Sequence, residues 1–199
     1  MNNKISTRTI TVGALMTALV VILQLMGSFI RFGVFSISLV LIPIVIGAVI
    51  CGKWIGAWLG FVFGVMVLAS GDAGAFLAVN VPGTVITVLL KGIGCGFFAG
   101  LVYELISKLS DKKGVLYFGA VLAALLCPVV NTGIFLLGCK LFFMDTVAQW
   151  AQELGFGSDV GRYIIFGLVG GNFLFEMGTN IIFSPTIVHI IKVVMKKDR

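Results

Sequence analysis

Charge is scarce in this chain: Asp, Glu, Lys and Arg make up 11% of its 199 residues, where a soluble domain usually carries about 25%. Hydrophobic residues reach 59% and the mean hydropathy is +1.15. A water-soluble protein of that composition would expose large apolar patches, so lipid is the expected solvent. Histidine is nearly absent, His189 alone, and it falls near the end of the last apolar run. The four cysteines, Cys51, Cys95, Cys127 and Cys139, form no C-x-x-C pair and sit in or beside apolar runs. They read as free thiols used for packing, so no metal site and no cofactor is expected. A G-x-x-x-x-G-K-[ST] phosphate loop is also missing, and with it any ATPase activity of this chain's own. No internal repeat or low-complexity tract interrupts the sequence.

What the chain does have is long apolar runs. A spanning helix takes roughly 20 apolar residues, and the runs predict an all-α integral membrane protein, one membrane domain over 1–199, built as a six-helix bundle. The expected helices cover about 11–30, 35–51, 54–68, 81–109, 115–143 and 163–194. Six spans with short loops use most of the length, which leaves no space for a soluble catalytic domain. Met1 to Thr11 is polar, and the run behind it, Val12 to Ile30, is too long for the core of a signal peptide and lacks an A-x-A-like cleavage site, so it reads as a retained first helix. Gly52 and Lys53 form a tight turn, Ser110 to Gly114 a charged one, and Ser70 to Pro82 a weakly polar loop. Met144 to Arg162 is the longest break, with Trp150 suggesting a short interfacial helix.

Lys and Arg orient the bundle. With the N-terminus in the cytoplasm, the inner segments hold Lys4, Arg8, Lys53, Lys108, Lys112, Lys113, Lys192, Lys196, Lys197 and Arg199, against Arg31 and Arg162 outside. That asymmetry is a positive-inside pattern, and an even number of spans returns the C-terminus to the cytoplasm. The net charge of +6 is then mostly anchoring charge, and nucleic acid is not an expected partner. The long loops fall outside, so a loop-capped site would open outward.

Polar side chains at membrane depth are costly unless they pair or line a cavity. Lys91 lies about ten residues inside the fourth predicted helix, roughly 13–15 Å deep at 1.5 Å per residue, too far to snorkel easily. Asn172, Glu176 and Asn180 recur every fourth residue on the last helix and share a face. Asn131 follows Pro128, which frees a backbone carbonyl one turn back. Lys140 is closer to the outer surface and within reach of headgroups. These groups admit two compatible readings: a buried Lys91–Glu176 pair with asparagines as interhelical glue, or a small-molecule pocket with Lys91 as anion partner. The candidate substrate-binding residues are Lys91, Asn131, Asn172, Glu176 and Asn80. Asn80 and Asp72 in their loop, with Gln24 and Arg31 near the first outer turn, are candidates to cap the pocket, and plain solvated-loop roles suit each equally. Ala14 and Ala18 on the first helix form a small-xxx-small pair that lets another helix approach closely.

This layout, with Ala14-x-x-x-Ala18 and the stretch L-I-P-I-V-I-G-A-V-I-C-G-K-W-I-G-A-W-L-G-F-V-F-G from Leu41 to Gly64, resembles the substrate-binding S components of energy-coupling factor vitamin transporters. The likeness spans nearly the whole chain. It implies a bacterial plasma-membrane protein that binds a vitamin or precursor from outside, in a pocket formed mainly by the last three predicted helices and the outer loops. It implies docking through the alanine pair onto a transmembrane coupling subunit, ATP hydrolysis by two partner ATPase subunits, and release by toppling in the membrane. The hairpin and the P-V-V-N-T-G-I-F segment, Pro128 to Phe135, are most similar to pantothenate-type members, and Lys91 would complement the pantothenate carboxylate. Riboflavin, pyridoxine and pyrimidine-precursor types stay open. Two other classes compete. An intramembrane enzyme would need a nucleophile and a base at matched depth, and the one histidine is at the inner end. A channel or self-sufficient secondary transporter often shows matched broken helices, and Pro128 has no counterpart in the first half.

Overall fold

The computed structural model describes residues 7–28, 31–32, 35–36, 39–110 and 112–196. Lys4, Ile30, Lys197 and Arg199 lie outside the described residues, as do the side chains of Arg8, Arg31, His189, Lys192 and Lys196. Helix α1 runs Thr7–Gly27, and two-residue strands β1 (Arg31–Phe32) and β2 (Phe35–Ser36) pair antiparallel behind it. Helices α2 (Leu41–Cys51) and α3 (Lys53–Ala69) follow, then the single turn α4 (Gly74–Leu77), and the long α5 (Val81–Ser107) and α6 (Lys113–Phe142). The short α7 (Met144–Glu153) precedes α8 (Val160–Tyr163), which continues through a π-helical stretch (Ile164–Val169) into α9 (Gly170–Lys196).

The helix expected at about 35–51 is corrected: it begins at Leu41, and its first residues belong to the hairpin. Phe35, Ile37 and Leu39 alternate with Ser36 and Ser38, a period of two that favours a strand, and serine competes with helical backbone bonds. Pro43 then sits in the first turn of α2, where its missing N–H costs nothing. At 11 residues α2 is roughly 16 Å long. Gly52, with φ of +92°, turns the chain sharply from α2 into α3. Among the described residues four helical segments are long and apolar enough to cross a bilayer: 9–27, 81–107, 113–142 and 160–183.

The centre of the bundle is the α3–α5 seam. Gly56, Gly60 and Gly64 recur every four residues on α3, and Gly92, Gly96 and Gly100 do so on α5. A methyl group on Gly60 would overlap the Gly92 carbonyl oxygen, and one on Gly56 the Gly96 carbonyl oxygen. The two backbones therefore touch, antiparallel, with no side chain between them, as small residues permit in membranes. At one end of the seam Gly100 packs on the Lys53 backbone. There the Glu104 carboxylate accepts from the Lys53 backbone N–H at 3.1 Å and pairs with its ammonium at 2.9 Å. Glu104 thus caps α3 from a neighbouring helix, answering an N–H that the helix itself leaves unpaired.

Around the seam, Ile44, Val45, Ala48, Leu59, Cys95, Ala120, Ala124 and Cys127 form one continuous core. Pro128 lies inside α6 without ending it. A second cluster, Phe76, Phe135, Phe143, Val147, Ala151 and Tyr163, gathers under α7 at the end of the bundle remote from Lys53. None of the four cysteines is in a disulfide.

Candidate functional site

A small cavity of about 50 Å³ lies between α1, α3, α4, α5, α6 and α9. Its polar lining is Gln24 from α1, Asp72 from the α3–α4 turn, Lys91 from α5, and Asn172 and Glu176 from α9, and Phe63, Phe76 and Phe135 supply aromatic walls. The close α3–α5 approach brings Phe63, next to Gly64, over Lys91, next to Gly92. The Lys91 Nζ lies 5.6 Å from the Phe63 ring centroid and 5.5 Å from that of Phe135. Both are cation–π distances, so the ammonium is held between two rings. Lys91 and Glu176 line the same cavity, and the Lys53–Glu104 ion pair lies at the other end of the seam.

Glu176 is the floor on the α9 side. It is 2% exposed, and a buried carboxylate is costly unless hydrogen-bonded. Two amides answer it: Asn172 Nδ2 donates to Oε1 at 3.1 Å, and Asn131 Nδ2 on α6 donates to Oε2 at 3.2 Å. The π-helical stretch ends three residues before Asn172. One inserted residue turns the following helix by about 100°, so this stretch sets which face α9 offers, a frequent use of π-bulges near functional sites. Above the cavity, buried Gln24 donates to Asp72 Oδ2 at 2.6 Å, tying α1 to the α3–α4 turn. Phe76 meets Phe135, Phe143 and Trp150 edge to face, at centroid distances of 5.5, 5.0 and 5.3 Å. The α4 turn is thereby seated on the cavity by one aromatic side chain.

The structure brings Lys91, Asn172 and Glu176 together around one cavity, with Asn131 directly behind Glu176. Gln24 and Asp72 also line it. Asn80 does not: its Oδ1 accepts from Gly83 N at 2.9 Å and caps α5, the ordinary work of an asparagine before a helix. The backbone of Arg31 lies in β1. Lys140 is exposed. Ala14 and Ala18 are exposed on α1, and the neighbouring Thr17 hydroxyl accepts from the Trp58 indole N–H at 3.2 Å. Residue-type reasoning missed Phe63, Phe76 and Phe135, since phenylalanine in an apolar run carries no signal of its own. The four-residue glycine spacing in α3 and α5 was the legible clue that these helices touch and that Phe63 meets Lys91.

An apolar multi-helix bundle that gathers charged and amide side chains around an internal cavity is the build of a membrane protein that binds a small polar solute. The sequence pattern of a known family agrees: the model for "ECF transporter, substrate-specific component" matches residues 8–191, and the chain belongs to that family. No curated protein and no solved structure matches it. As a member it is a multi-pass membrane component of a transporter and not an enzyme, taking a small-molecule substrate and associating with subunits of the energy-coupling module.

Proposed function

We propose that this chain captures a vitamin or vitamin precursor, pantothenate first among candidates, from the outside of a bacterial plasma membrane. The observation that carries the reading is the meeting of Lys91, Asn172 and Glu176, from two helices, around one cavity with Gln24 and Asp72 at its mouth. In it Lys91 takes an anionic group, and Glu176, Asp72, Asn172 and Gln24 take hydroxyl and amide groups. Phe63, Phe76 and Phe135 cover apolar carbons. Pantothenate offers a carboxylate, an amide, two hydroxyls and a branched alkyl centre. Riboflavin, pyridoxine and pyrimidine precursors are the alternatives.

In this reading α2 and α3 complete a six-span bundle with both termini cytoplasmic. Lys53, Lys108, Lys112 and Lys113 mark the inner end and the cavity lies toward the outer end. The present 50 Å³ is well below the roughly 150 Å³ of a cavity that admits a benzene-sized ligand. Binding therefore moves α4 and Phe76 outward and breaks the Gln24–Asp72 bond. The coupling subunit docks on the exposed face of α1 at Ala14 and Ala18, and two ATPase subunits drive release inside. The test is a binding panel of pantothenate, riboflavin, pyridoxine and a pyrimidine precursor on purified protein. Tight binding of one compound supports the reading. Binding of none, or uptake of solute into liposomes by this chain alone, would sink it.

A further inference from the structure

Asn172, Glu176 and Asn180 stand at four-residue intervals on α9 and share one face. The first two line the cavity. Asn180 is one turn further into the bundle and fully buried, at 0% exposure. Neither its Nδ2 nor its Oδ1 meets a hydrogen-bond partner. Asn131, which donates to Glu176 from the facing helix α6, has an unpartnered buried Oδ1 as well. Nearly all buried polar atoms in folded proteins have partners, so three orphaned amide atoms flanking a single carboxylate are not an ordinary packing arrangement. The one other orphan among the described residues, Thr87 Oγ1, is a single hydroxyl pressed against Gly138 on the α5–α6 seam.

We infer that the substrate site continues past Glu176 into the bundle and ends on the Asn180 carboxamide, where it takes a neutral group that both donates and accepts hydrogen bonds, a hydroxyl or an amide. This rests on the substrate-binding reading above. The polar groups around Asn180 select the chemistry of the ligand group. A metal cation would face the Asn180 Nδ2, itself a donor. An anion would face the Glu176 carboxylate. An apolar group would leave all three amide atoms unanswered. A hydroxyl answers the Asn180 Nδ2 as an acceptor and one of the two amide oxygens as a donor, and a primary amide, with two N–H donors, answers both oxygens. Exchanging oxygen and nitrogen within the Asn180 amide leaves that requirement unchanged, and the Asn131 amide is fixed by its donation to Glu176. The substrate is then bipolar: an anionic group at Lys91, between the two rings, and a hydroxyl- or amide-bearing group reaching to Asn180. Asn180 sets specificity, because a site built to bond a hydroxyl or amide rejects an analogue that lacks it far more strongly than an apolar pocket rejects a missing methylene.

The experiment uses the full chain in detergent or nanodiscs, as wild type, Asn180→Leu and Asn180→Ala. Thermal unfolding is read without ligand, and binding is titrated with pantothenate, riboflavin, pyridoxine and a pyrimidine precursor. The expected result is an unliganded Tm at or above wild type in at least one variant, since the unanswered amide is gone. Affinity for the compound that wild type binds falls tenfold or more in that same variant. Unchanged affinity in both variants overturns the inference while the carrier reading stands. So does a fall in affinity accompanied by a lower Tm in both variants, because Asn180 would then be holding the fold. If wild type binds none of the four compounds, the carrier reading fails and the inference fails with it.

Discussion

The α3–α5 seam and the cavity beside it are built from the same two helices by opposite means. Along the seam the side chains have been removed: Gly56, Gly60, Gly92 and Gly96 put carbonyl against Cα, and the contact is dispersion at the closest range the backbone allows. At the cavity the side chains are large or charged, and Lys91, Phe63 and Phe135 hold a space open by contacts of more than 5 Å. The first arrangement rests on backbone alone, and the second on side chains that meet through cation–π contacts. The difference teaches that backbone contact and side-chain contact are separated along one helix pair. The glycines fix where Phe63 and Lys91 stand on the two helices.

The sharpest way to break that contrast is to put a side chain into the seam. Gly60→Leu would drive its branch into the Gly92 carbonyl, and the loss of stability is expected on the order of 3 kcal/mol. It is read as loss of monodisperse protein and a fall in Tm. Gly74→Ala is the control, because a methyl there meets nothing within 4 Å; it should leave Tm and yield at wild-type values. On the cavity side Lys91→Ala should lower substrate affinity tenfold or more, about 1.4 kcal/mol, with folded yield close to wild type. A binding titration showing no change would remove Lys91 from the site. Asn80→Ala separates capping from binding: it should cost about 1 kcal/mol of stability with affinity intact, and a drop in affinity would return Asn80 to the site. Smallest of all, Glu104→Gln keeps an oxygen for the Lys53 N–H and loses the partly exposed ion pair. About 0.5 kcal/mol is expected, visible as a Tm difference that shrinks as salt is raised.

Much of the candidate site was legible because charge and amide groups stand out in an apolar chain. Lys91, Glu176 and the two asparagines declared themselves by depth and by four-residue spacing. Asn80 was misleading for the same reason. A polar residue in an outer loop looks available, and only its bond to Gly83 N shows it engaged as a cap. The start of α2 was hidden because hydropathy averages over Phe35 to Leu39 and hears an apolar run, although the alternating serines pointed to a strand. The π-helical stretch left no trace in composition.

The sequence alone determined that the chain lives in lipid and which few polar groups lie deep in it, because transfer of charge out of water is expensive enough to make every such residue conspicuous. It also determined family membership, through the pattern matched over residues 8–191. Only the tertiary structure decided that Lys91 sits between two phenylalanines, that Asn131 answers Glu176 across two helices, and that Asn180 is left unanswered beneath it. Those facts depend on rotation and register between helices, which close glycine contacts and one π-helical stretch set through space and which no spacing along a single strand of sequence can express.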